Sequence, residues 1–157
     1  MNNIDVNGDS IWYTRNGDIV TMHVTAKIFN NSSDNINMAR AAKDIVSDIK
    51  STYEGKFEWS DNKTYNLKVG ARGATSMLGG KVMTLASSDF ANNNWLSNNL
   101  SYNKTFTATH EFGHAIGLSH SQNPFNIMKQ GGVVHNSNSN QRVIMLQQQN
   151  NLNNNLV

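Results

Sequence analysis

Residues 110–120 read His-Glu-Phe-Gly-His-Ala-Ile-Gly-Leu-Ser-His, and both the residue types and their spacing suit a metal ion. His110 and His114 stand four apart, so on a helix both imidazoles fall on one face and can aim at one ion. Glu111 adjoins the first of them and projects beside the metal, not at it. Gly117 can take a positive φ without a Cβ penalty, end the helix and swing the chain back. His120 then arrives from the following loop as a third ligand. Three protein ligands leave a fourth position open for water, the arrangement of a catalytic zinc site, whereas a structural site closes that position. Zinc lowers the pKa of its water toward neutrality and polarises a carbonyl. Glu111 is placed to accept the proton as that zinc-bound water attacks. The bland alternative is a helix carrying surface histidines by coincidence. Average residue usage puts all five fixed positions in a chain of this length by accident on the order of 10⁻⁵ of the time.

This stretch resembles the signature of the metzincin metalloproteases. Met128, in His-Ser-Gln-Asn-Pro-Phe-Asn-Ile-Met, falls where that family has a methionine turn beneath the zinc. Wording and spacing are closest to the matrixin branch. The specific likeness covers residues 105–128, and a looser one in element order covers 19–152. The resemblance implies a zinc-dependent endopeptidase that hydrolyses peptide bonds of extended protein substrates, with Met128 as an apolar floor under the three imidazoles. It also implies an α+β fold: a twisted mixed sheet with two long helices behind it, an active-site zinc helix, and a short C-terminal subdomain with a methionine turn and a closing helix. Some departures matter. Gln130 stands where astacin-like and serralysin-like relatives have a tyrosine, so that role is not carried over. Matrixins usually follow the methionine with Tyr-Pro, and here the pair is Lys129-Gln130. Of the histidines only His23 lies in the first half, which argues against a second zinc; calcium stays open as a further ion, with no motif to support it.

The elements around the motif can be read from periodicity. Asn16-Gly17 between residues 11–15 and 19–29 is a two-residue hairpin signal. Val20, Met22, Val24, Ala26 and Ile28 alternate with polar residues, which marks a half-buried strand with His23 on its polar face. Met38, Ala41, Ala42, Ile45, Val46, Ile49 and Tyr53 are spaced as an amphipathic helix of about four turns, with Ser33-Asp34 as its cap. Residues 65–69 read as a short strand and 81–87 as another. The latter is the candidate edge strand for an extended substrate, through Val82, Met83, Thr84, Leu85 and Ala86, since an open edge can add a peptide as one more strand. Thr105 or Thr107 could cap the helix carrying His110. Phe125, Val133 and Val134 are candidate walls of a side-chain pocket, each equally readable as plain core. His135 reads as loop surface, and Val143, Ile144 and Leu146 as a final helix.

The bulk numbers exclude other classes. At 157 residues a single domain over 1–157 is expected, with 1–10 and 153–157 frayed. Thirteen basic against eleven acidic residues leave too mild a charge for a nucleic-acid or membrane partner. The absence of cysteine removes disulfides, thiolate ligands and a thiol latch. Asparagine runs such as 92–94 and 153–155 read as solvated loops and ends. No segment has the length of a membrane span, and the start carries no signal peptide. The expectation is a monomeric, secreted or exported protein of bacterial or phage origin, excised from a longer chain or leaving by a non-classical route. Two readings compete with the protease on the same fold: a non-catalytic protein-binding module, and a zinc amidase acting on a non-peptide or cell-wall substrate.

Overall fold

Val20, Met22 and Val24 are buried while Thr21 and His23 between them are not, and this alternation builds the central strand of the sheet. The computed structural model describes residues 2–4, 10–30, 37–74, 81–85 and 105–148, with 2–4, 10, 25–30, 71–74 and 81–85 described as backbone alone. Its strands are β1 (Asn2–Ile4), β2 (Ser10–Asn16), β3 (Ile19–Asn30), β4 (Gly55–Glu58), β5 (Thr64–Ala74) and β6 (Lys81–Leu85). Three helices accompany them: α1 (Met38–Tyr53), α2 (Phe106–Ala115) and α3 (Ser139–Gln148). The fold is α+β with a mixed sheet ordered β1-β2-β3-β5-β4. β2 runs antiparallel to β3, β5 parallel to it, and β4 antiparallel to β5.

β6 also pairs with β3, in parallel, from Ala26↔Lys81 to Asn30↔Leu85. Ala26 and Lys27 pair with β5 as well, so β6 lies on the other edge of β3. There it continues the line of β2, whose pairing ends at Val24. Among the described residues β6 has no second strand partner.

The hairpin turn falls one residue later than the Asn16-Gly17 reading. Asn16 is still paired, with Ile19, so the two loop residues are Gly17 and Asp18. Gly17 takes φ +60° at the first central position, where a type II′ turn favours glycine. The cap of α1 also differs. Asn37, adjacent to the helix, accepts the Arg40 N–H through its side chain at 3.1 Å, while residues 33 and 34 lie outside the described part. β1 pairs with β2 within a stretch expected to fray. β5 runs past Val69, where the short strand was expected to end, to Ala74, because Gly70 and Gly73 sit within a ladder with β3.

α1 lays Ala41, Ala42, Ile45, Ile49 and Tyr53 on one face of the sheet, where Ile11, Tyr13, Val20, Met22, Leu67 and Val69 are buried. Burying each large aliphatic side chain contributes roughly 1.5–3 kcal/mol. α2 packs on α1, and α3 packs on β4. Arg142 of α3 fastens this corner, donating from Nε to Tyr53 O (3.1 Å) and from Nη1 to Lys56 O (2.8 Å). The first of these satisfies a carbonyl at the C-terminal end of α1, where helical partners run out.

Candidate active site

α2 begins after Thr105 and buries Phe106, Ala108, Thr109, His110, Phe112 and Gly113. Thr105 is its N-cap residue, and Thr107 faces the cleft described below. Its end is built around Gly117, which takes φ +105°. Leu118 N–H reaches back to Gly113 O (2.9 Å) and Gly117 N–H to His114 O (3.0 Å), the paired bonds of a Schellman motif. The chain therefore turns sharply two residues after the helix and delivers His120.

Two of the three imidazoles are oriented by main-chain carbonyls. His110 donates from Nδ1 to Ile127 O at 2.8 Å, and His114 from Nδ1 to Leu118 O at 2.7 Å. A carbonyl only accepts, so Nδ1 must carry the proton and Nε2 is left as the lone-pair donor. The candidate ligand atoms of His110, His114 and His120 all lie within 4.8 Å of one another. A tetrahedral zinc with bonds of about 2.0–2.1 Å needs nitrogens about 3.4 Å apart. His120 is exposed on its loop, so the residues fit a zinc ion with a modest inward adjustment. His110 is 6% exposed, so the site has a buried side and an open side.

The open side is a cleft of about 550 Å³ lined by the three histidines, Glu111, Phe106, Thr107, Gln130, Gly131, Gly132 and Val133. Glu111 is exposed beside the ligands. The opposing wall is a turn closed by Gly132 N–H to Lys129 O (3.0 Å), with Gly131 at φ +70°. Val133 lines this cleft, whereas Phe125 is 71% exposed and is not among its lining residues. The side chains of Val82, Met83, Thr84 and Leu85, and all of Ala86, lie outside the described part.

Met128 is fully buried. Its Sδ and the Tyr53 hydroxyl both stand 2.5 Å from where a Cβ on Gly113 would be, so glycine is what lets α2 settle onto them. Tyr53 donates to Thr109 O at 2.6 Å. Burial first, then the nearby Asp48 charge, push that hydroxyl far above its ordinary pKa, and it stays a donor. The methionine is held from both ends. Ser121 N–H bonds Met128 O (2.9 Å), and Met128 N–H bonds Asn126 Oδ1 (2.9 Å).

Sequence reasoning did not find two buried polar groups. Asn126 and Gln141 exchange amide hydrogen bonds at 2.9 and 2.8 Å. Gln141 also closes a capping box with Asn138, with 2.9 and 3.0 Å bonds. The Asn138-x-x-Gln141 spacing was the available signal. Asp48, on α1, accepts from Thr109 Oγ1 (2.6 Å) and His135 Nδ1 (2.7 Å). Burial alone would raise its pKa, but hydrogen bonds from His135, Thr109 and Thr105 and the His135 charge bring it below the ordinary value. His135 is not loop surface: its side chain is 14% exposed.

A family model described as Matrixin matches residues 20–150. The chain belongs to the matrixin family. The match runs from β3 through the histidine site, and matrixins are zinc metallopeptidases, so the family and the three-histidine geometry point to the same ion. No curated protein and no solved structure matches the chain. Among the described residues no helix is long and apolar enough to cross a membrane.

Proposed function

We propose that this matrixin is a zinc-dependent endopeptidase acting on extended stretches of protein. One observation carries the reading: three imidazoles able to hold one ion share a cleft with Glu111, which needs no ligand role there. A bound zinc ion supplies a Lewis acid that polarises the scissile carbonyl and makes water acidic enough to attack near neutral pH. Glu111 takes the proton of the attacking water and returns one to the departing amine. His110 and His114, pinned through Nδ1, present Nε2 without rearrangement. The turn at 129–132 and Val133 face the substrate side chain across the cleft. β6, paired along one edge only among the described residues, supplies main-chain groups through residues 82–85 for strand addition.

The test is to incubate the protein with casein and with peptidoglycan, each with and without a chelator. Casein cleavage that a chelator stops and zinc restores is the expected result. Hydrolysis of peptidoglycan alone would replace the reading with a zinc amidase. About one zinc per chain with neither substrate cleaved would leave a binding module.

A further inference from the structure

Asp48 lies outside the histidine motif, yet it joins three parts of the molecule. From α1 it accepts the Thr109 hydroxyl at 2.6 Å, one residue before the ligand His110, and the His135 Nδ1–H at 2.7 Å. Thr52 donates to its other oxygen at 3.4 Å. His135 stands edge-on to Phe106, with ring centroids 5.5 Å apart and planes at 87°. Phe106 in turn lies 5.6 Å from the His110 ring and lines the cleft. His135 follows the cleft wall at Gln130–Val133 by two residues. A carboxylate only 10% exposed is costly to hold there, and well-packed apolar residues often stabilise such a place as well or better. What an ionised hub adds over apolar packing is direction: each donor must arrive at a fixed angle.

We propose that Asp48 and His135 form a positioning pair that sets the first turn of α2 and the 130–133 wall relative to each other, and so fixes His110 and the width of the cleft. Neither residue touches substrate or metal. Asp48 acts through Thr109, and His135 acts through Phe106 and the segment that leads to it. The part concerning cleft width rests on the peptidase reading, whereas the part concerning His110 does not.

The test uses three variants of the full chain: Asp48→Asn, His135→Phe, which keeps a ring but loses the donor, and His135→Asn, which keeps a donor at the Nδ1 position. Each is loaded with cobalt(II) in place of zinc and its visible absorption recorded. KM and kcat are measured on a fluorogenic casein-derived peptide with zinc. Asp48→Asn and His135→Phe are expected to shift the cobalt absorption and to raise KM about tenfold, with one metal still bound per chain. His135→Asn is expected to restore KM to within about twofold of the parent, since its side chain keeps the donor. A lower melting temperature with unchanged cobalt spectrum and unchanged KM would show a structural contact only, and would overturn the proposal. If Asp48→Asn does not fold, the two His135 variants decide it. If the parent cleaves no peptide, the peptidase reading fails, and the cobalt spectra alone decide the positioning of His110.

Discussion

Glu111 and His114 lie within one turn of α2 but are asked for different things, so their loss should look different. Glu111→Gln keeps the shape and removes the base. Turnover on casein is expected to fall by about 10²–10⁴, with zinc still near one per chain by metal analysis. His114→Ala should lose both zinc and activity. Near-parental turnover in Glu111→Gln would rule out the mechanism. Gly113→Ala tests the packing under the same turn, because its Cβ would meet Met128 Sδ and the Tyr53 hydroxyl at 2.5 Å. Such overpacking costs about 1–3 kcal/mol, measurable as a lower urea midpoint. At this scale the sequence was most informative. Motif spacing follows helix geometry and needs no tertiary context, so His110, His114, Gly117 and His120 could be placed in advance. Gly113 was overlooked, since its reason is a methionine and a tyrosine distant in the chain.

The link between α1, α2 and the segment leading to α3 depends on ionised Asp48, and this has a pH signature. Its folded pKa is lowered, so the stability it contributes is fully present above its unfolded value of about 3.9. That contribution is lost as pH falls through the folded value. In metal-free protein, Asp48→Asn is therefore expected to be less stable than the parent near neutral pH. The gap should narrow as pH drops below about 4; a gap of constant size from neutral to acid pH would contradict the assignment. Gln141→Leu probes the other joint. It strips Asn126 of its amide partner and α3 of half its capping box, with an expected loss of about 1–3 kcal/mol in chemical denaturation. Long periodic elements such as β3 and α1 were legible because burial imprints a period. β4 was not, since four residues with only Phe57 buried carry no period to detect. Joints such as Asp48–His135 leave no local pattern at all.

For the molecule as a whole, metal and fold should be linked. A ligand that binds only the folded chain raises its stability by about 2.7 kcal/mol at a hundred times its dissociation constant. Chelation should therefore lower the melting temperature, and added zinc should restore it. A melting curve indifferent to both would mean that the three histidines hold no ion in the folded protein. The class of fold could be anticipated from element order and the family likeness, but the placing of β6 beyond the end of β2 could not. Strand order is set by which edge remains open after the others have paired, and that is a property of the assembled sheet.

The tail's grip on α1 has a consequence in time. His135 bonds Asp48 across 87 residues, Ser137 bonds Thr52 across 85, and Arg142 bonds Tyr53 across 89. During synthesis the whole ligand motif emerges before His135, Ser137 or Arg142 exists. A nascent or truncated chain that ends before residue 135 therefore carries the three histidines without the bonds that tie the following segment to α1.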